Sequence, residues 1–285
     1  MANNKIVNKK SRQFIGEIAF ISGASKGIGK ETAKEIFNRG GSVCILARNE
    51  EELEKSKREI ESVRNNKNQF VITMRGDASK KDEIQPLIED FIRDYGVPDY
   101  LINAVGYAYP EYVQKYSLED FRANMDVNYF GQLIPTMIFI PFFMREQKGH
   151  ISFISSGAGF ASGIGYATYS PTKFAIVGLA EVIRHELKPY NISISILYPP
   201  DTDTPGLKKE NETKPMETAM ISETFGLYKP DQVAVKYLNG VKNGKFYILF
   251  GEVLWVWRIF RLFPRLFHRY LDYELIQARK KIGKI

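Results

Sequence analysis

Ile18-Ala19-Phe20-Ile21, followed by Gly23-Ala24-Ser25-Lys26-Gly27-Ile28-Gly29 opening a helix through Phe37, is the stretch on which the fold turns. The four apolar residues read as a short buried strand. Glycines after it let the backbone turn tightly and approach a phosphate-bearing ligand, whose charge the N-terminus of the next helix favours. The spacing is Gly-x-x-x-Gly-x-Gly rather than Gly-x-Gly-x-x-Gly, so the position between strand and helix carries the reading. Gly23, Ser25, Lys26, Gly27, Ile28 and Gly29 are the candidate contacts.

Outward from this loop the same alternation repeats. Strands are predicted at Val43-Cys44-Ile45-Leu46, from Phe70 to Met74, from Tyr100, from His150 to Ile154, from Ile192 to Leu197 and from Phe246 to Phe250. Helices are predicted over 50–64, 80–95, 118–147, 169–188 and 229–241, with Pro135 and Pro141 kinking or breaking the third. Near-continuous apolar strands alternating with helices predict an α/β fold, a Rossmann-like, doubly wound parallel sheet of about seven strands. No linker interrupts it. The expected organisation is a basic arm over 1–15, one domain over 16–250 and a basic, aromatic, amphipathic extension over 251–285. Residues 207–228, polar and weakly periodic, are expected to form a mobile flap.

The strand ends collect polar residues. After the second strand comes Arg48, where an acid would suit ribose hydroxyls and a cation a 2′-phosphate. With Lys26 as a second cation, NADPH is favoured over NADH; Arg48 could otherwise merely cap a strand. Asp77, in Gly76-Asp77-Ala78, could accept from an adenine amino group. Asn103-Ala104-Val105-Gly106 forms a small-residue turn against which a cofactor can lie, and the proline-rich loop with Pro199 and Thr202 is placed to meet a ligand. Asn128 lies mid-helix among apolar neighbours and must find partners, a functional water among them.

Tyr169-Ser170-Pro171-Thr172-Lys173 sets a phenol and an ammonium one helical turn apart on one face, where the cation favours the phenolate. Ser156, thirteen residues before the tyrosine, can hold a substrate oxygen beside it. The pentapeptide alone also fits an ordinary surface turn.

Composition narrows the remaining choices. The chain has 285 residues, 44% hydrophobic and 26% charged, with net charge +7. Cys44 is the single cysteine, so no internal disulfide can form. His150, His185 and His268 are far apart, and no metal site is expected. Residues 1–16 hold Lys5, Lys9, Lys10 and Arg12 with no acid; residues 252–285 hold eight basic residues against Glu252, Asp272 and Glu274. The basic character therefore belongs to the ends, and the start lacks the apolar run of a secretory signal. In 253–270, Arg258, Arg261, Arg265 and Arg269 recur at helical spacing among Trp255, Ile259, Phe260, Leu262, Phe263, Leu266 and Phe267. This reads as an interfacial helix at a membrane surface, too short in its uncharged runs to span one. The alternative is an aromatic face packed on the domain or a subunit partner. No nucleic-acid-binding fold accompanies the charge.

The glycine loop, Asn103-Ala104-Val105-Gly106, Asn128, Ser156 and Tyr169/Lys173 in this order and spacing resemble the short-chain dehydrogenase/reductase family, over about residues 15–250. Departures are Ser22, Ala104 and Pro200. A narrower resemblance is to the 3-ketodihydrosphingosine reductases. It rests on Tyr198-Pro199-Pro200-Asp201-Thr202-Asp203-Thr204-Pro205-Gly206, Lys214-Pro215, Ile221-Ser222-Glu223-Thr224, the runs 174–176 and 178–181, and Lys188-Pro189-Tyr190-Asn191. Glu52 stands where that family has a lysine, and the long apolar C-terminal segments are missing.

The resemblance implies NADPH-dependent reduction of the 3-keto group of a sphingoid base at the cytosolic face of a membrane, and a homodimer or homotetramer through 118–147 and 168–188. It implies Tyr169 as proton donor and Ser156 as holder of the carbonyl oxygen. Lys173 would bind the nicotinamide ribose and depress the Tyr169 pKa, and Asn128 would hold a relaying water. A reductase of another lipophilic ketone (steroid, retinoid or ketoacyl) is the alternative. A catalytically silent dinucleotide binder is a third reading, against which the intact four-residue set argues.

Overall fold

Strand runs too apolar to face water on either side demand cover on both, and the chain supplies it with helices. The computed structural model describes residues 14–222 and 226–284. In chain order it forms β1 (Ile18–Ser22), α1 (Gly27–Asn38), β2 (Ser42–Ala47), α2 (Glu50–Glu61), β3 (Val71–Arg75), α3 (Lys81–Tyr95) and β4 (Tyr100–Asn103). Then come α4 (Leu118–Met125), a π-turn (Asp126–Phe130), α5 (Gly131–Glu146), β5 (Gly149–Ile154), α6 (Tyr169–Glu186) and β6 (Ile192–Leu197). The last elements are α7 (Pro205–Asn211), α8 (Met216–Ser222), α9 (Pro230–Lys242), β7 (Tyr247–Ile248), α10 (Gly251–Leu262) and α11 (Pro264–Lys281).

The seven strands pair in parallel in the order β3-β2-β1-β4-β5-β6-β7. One face is covered by α1, α2 and α9 through Ile36, Phe37, Leu53, Val233 and Tyr237; the other by α3, α5 and α6 through Ile88, Phe91, Phe139, Phe143 and Ile176. The winding reverses between β1 and β4, so the loops leaving those two strands diverge to opposite faces and open a crevice at their carboxyl ends. There the glycine loop presses on the loop after β4: a Cβ on Gly23 would stand 2.6 Å from the Val105 nitrogen.

Three expectations change. The irregularity in the long helix falls at the π-turn holding Asn128, not at Pro135 or Pro141, which continue within α5. Side-chain hydrogen bonds from Asn128 and Gln132 stabilise that widened turn. The expected flap is largely folded, as α7 and α8: Thr204 caps α7 through Leu207 N–H, and Thr218 on α8 donates to the Ile164 carbonyl. The last strand is shorter than expected, two residues. Of the basic arm, 1–13 lie outside the described residues, as do Glu223 and Thr224 of the flap motif. Phe14, two residues before the expected start of the domain, is fully buried against Tyr100.

One helical span among the described residues, Leu118–Glu146, is long and apolar enough by composition to cross a bilayer. Its Phe139 and Phe143 are instead buried in the core against the sheet.

The C-terminal extension docks on the domain. Trp257 packs on Tyr247, Phe260 on Phe160, and Phe267 is buried beneath Phe260. Pro264 separates α10 from α11, so the four arginines do not form one stripe. Arg261, its side chain half-exposed, lies over the Trp257 and Tyr247 rings, 3.9 Å from Glu181. At the far end Lys284 Nζ stands 3.0 Å from Glu217 on α8, a carboxylate with no exposed surface that also accepts from the Tyr112 hydroxyl. Burial raises the Glu217 pKa, but hydrogen bonds from Tyr112 and Lys284 outweigh it and hold it below the usual range.

Candidate active site

The crevice has a phosphate-compatible end and a reactive end. At the first, Gly23 and Gly27 take positive φ (79° and 59°), which favours glycine, and α1 begins with no side-chain cap and no acid in its first turn. Those first-turn amides therefore face outward as an anion site, and the donor set fits a dinucleotide pyrophosphate. Ser25 and Ile28 belong to the same turn, and Gly29 is packed so closely on the Gly23 carbonyl that no side chain fits there.

The candidate adenosine end is less cationic than the sequence suggests. Glu52 holds Lys26 at 3.1 Å, and Arg48, largely exposed, lies 4.0 Å from Asp77. Asp77 Oδ1 already accepts from the Ser79 amide and hydroxyl. Ala78 is buried in the core.

Two candidates turn inward. The Asn103 side chain accepts from Ser22 and donates to Thr136 at 2.9 Å, holding β1, β4 and α5 together. The Thr202 hydroxyl donates to the Pro200 carbonyl. Pro199 remains partly exposed on the loop after β6. A neighbour not singled out from the sequence, Thr204, lies across from the glycine loop: a Cβ on Gly27 would meet its methyl at 3.2 Å.

At the reactive end, β5 delivers two serines with different fates. Ser155 donates to the Lys173 carbonyl at 3.1 Å and is buried. Ser156 caps a short turn through Ala158 N–H and interacts with the Tyr169 hydroxyl. Lys173 Nζ lies 5.4 Å from the Tyr169 ring centroid and donates to the Ile154 carbonyl at 3.0 Å. Burial pushes the Lys173 pKa down to about 7.

The Tyr169 phenol is not lowered as the resemblance implied. Burial and then the Glu210 carboxylate push it well up, with Asp201 adding to them and Ser156 alone opposing. Asn128, wholly buried, accepts from Tyr107 N–H at 2.8 Å and donates to the Tyr107 carbonyl at 2.9 Å. Its side chain is a tether for the loop after β4.

Gln132 was missed. Its amide NH2 reaches the carbonyls of Val105, Asn128 and Ile154, and its oxygen accepts from Ile154 N–H. The signal was present: a buried glutamine one turn beyond Asn128 in an apolar helix must find partners. Among the described residues no cluster could hold a metal ion.

A family model, short chain dehydrogenase, matches residues 17–215. The chain belongs to the short-chain dehydrogenase family. It is accordingly an oxidoreductase acting on a CH–OH/C=O group, and a nicotinamide dinucleotide is the family's cofactor. Among curated relatives, the 3-dehydrosphinganine reductase of Danio rerio is 37% identical over 247 residues, 86% of this chain and 74% of that protein. The 3-ketodihydrosphingosine reductase of Dictyostelium discoideum is 36% identical over 274 residues, 86% of this chain and 78% of that one. Among solved structures, a 3-oxoacyl-[acyl-carrier protein] reductase from Brucella melitensis superposes with a TM-score of 0.72 at 22% identity, covering 84% of this chain and 91% of that one. A short-chain dehydrogenase/reductase from Burkholderia phymatum in complex with NAD gives 0.73 at 22% identity, covering 83% and 89%. These two share the fold.

Proposed function

We propose that this member of the family reduces the 3-keto group of 3-ketosphinganine to dihydrosphingosine with NADPH, in sphingolipid biosynthesis. The observation that carries the substrate is the likeness, at 36–37% identity over most of the chain, to proteins named for that reaction. When bound along the glycine loop and Lys173, the nicotinamide cofactor would supply hydride to the carbonyl carbon. Tyr169 donates the proton as charge builds on the oxygen, and Ser156 holds that oxygen by a hydrogen bond. Lys173 orients the ribose hydroxyls, and Asn128 keeps the loop after β4 against the π-turn. A cavity of about 430 Å³, lined by Tyr112, Val113, Ile164, Tyr166, Ala167 and Pro171 among others, supports a lipophilic substrate.

Arg48 supports NADPH over NADH as the solvent-facing cation after β2, since Glu52 engages Lys26. A membrane surface on the cytosolic side is supported by the corner between α10 and α11. Trp255, Ile259, Leu262, Phe263 and Leu266 are exposed there, beside Arg258, Arg265 and Arg269. Phe130 and Met137 on the π-turn and α5, with Phe174 and Val182 on α6, form exposed apolar faces that support a homodimer or homotetramer through these helices.

The test is nicotinamide oxidation with 3-ketosphinganine, with NADPH and NADH in parallel, with and without liposomes. Turnover with NADPH, stimulated by liposomes, is expected. A protein that binds NADPH but leaves this ketone unreduced refutes the substrate, and faster turnover with NADH refutes the cofactor assignment.

A further inference from the structure

Helix α7 brings to the reactive end a carboxylate that hydride transfer to a ketone does not require. Glu210 Oε1 accepts from the Tyr166 hydroxyl at 2.6 Å and lies 3.2 Å from Lys214 Nζ, whose side chain is only 3% exposed. Oε2 of Glu210 makes no hydrogen bond among the described residues. The Tyr166 and Tyr169 rings are in contact, centroids 5.9 Å apart, so Glu210 stands one ring away from the proton-donating phenol. Asp201, on the loop after β6, shares the field of Lys214 and Glu210. With both carboxylates ionised, two negative charges face one ammonium. That excess opposes the phenolate that Tyr169 becomes on giving up its proton. A cation arriving with the substrate would remove the opposition.

Resting on the ketone and substrate reading above, we propose that Glu210 binds, through Oε2, the protonated amine on the carbon next to the reacting carbonyl, and thereby selects 2-amino ketones over neutral ketones of equal chain length. The ammonium balances the charge excess at the step where Tyr169 turns anionic, so the same contact serves selection and proton transfer. Ser170 lines the cavity that Tyr166 also lines, and its buried hydroxyl has no hydrogen-bond partner among the described residues.

Glu210→Gln tests this, because the amide oxygen still accepts from Tyr166 while the charge is gone. Wild type and variant are assayed with 3-ketosphinganine and with the same chain carrying hydrogen in place of the amino group. Wild type should prefer the amino ketone by about a hundredfold in kcat/KM, the scale of losing one partner of a desolvated charge pair. The variant should lose most of that preference, through kcat as well as KM, and should reduce the deaminated ketone at least as fast as wild type, since the charge opposing the phenolate is gone. Equal losses on both substrates would mark Glu210 as structural and overturn the proposal, as would a preference that survives in the variant. If wild type reduces both ketones equally well, the ketone reductase stands and the role of Glu210 falls. If it reduces neither, the substrate reading fails and takes this proposal with it.

Discussion

Replacing Lys173 by methionine should abolish turnover and yet stabilise the cofactor-free protein at neutral pH. The ammonium is buried, and its pKa falls from 10.5 to about 7 in the folded chain. Between those values the unfolded chain holds a proton that the folded chain does not. Acidifying therefore favours unfolding, and folded stability rises with pH through this window. At pH 7 nearly the whole penalty is in force, about 4 kcal/mol from a shift worth 1.36 kcal/mol per pH unit. Methionine removes the titration and nearly conserves the volume. It forfeits the bond from Nζ to the Ile154 carbonyl, about 1 kcal/mol, but that oxygen keeps Gln132 as a partner. The net gain at pH 7 is about 3 kcal/mol, or a rise in Tm on the order of 6 °C for a domain of this size. Thermal melts of wild type and Lys173→Met from pH 6 to 10 check it. The gap should close as pH rises toward 10.5. A variant less stable than wild type at pH 7, or a gap indifferent to pH, would refute the argument from burial.

Asn128→Ala should strip both bonds to Tyr107 and loosen the loop after β4. Tyr107 is exposed, so water can take up both backbone groups and each lost bond costs about 0.5–1.5 kcal/mol, lowering Tm by a few degrees. Turnover should fall along with it; an unchanged Tm would show that the tether carries no weight. His150 is buried beside Ser195, and burial, with Lys242 nearby, pushes its pKa down to about 4. The unfolded chain takes up the proton between pH 6.5 and 4 and the folded chain does not, so stability should fall by about 3 kcal/mol as pH drops through that range. Urea midpoints should follow this slope in wild type and less steeply in His150→Gln. Equal slopes would rule the histidine out as the cause.

The doubly wound parallel sheet was legible because its signal is local and repeated. An apolar run, a glycine or polar turn and an amphipathic helix recur along the chain, and each repeat can be read without knowing the others. Tyr169 and Lys173 were legible for the same reason: a separation of four residues on one helix brings their side chains onto one face whatever surrounds it. What surrounds them was not legible. Ser155 and Ser156 look alike in the chain, but packing against α6 commits the first to the Lys173 carbonyl and leaves the second beside the phenol. Asn103 and Thr202 sit at strand ends where a ligand contact is natural, and turn inward because neighbouring backbone and side-chain partners are closer. Lys26 reads as a free cation until α2 brings Glu52 to it.

By itself, then, the sequence determined the sheet, the glycine-lined crevice and the pairing of a phenol with an amine one turn apart, since each follows from spacing along a single element. Only the tertiary structure decided the electrostatics of the reactive end. Tyr166 and Glu210 are 44 positions apart in sequence, and no local pattern relates them. They meet because α7 folds back over the crevice, and burial there gives a charge its reach. A charge's effect on a neighbour depends on distance and on the exclusion of water, and both are properties of the packed chain.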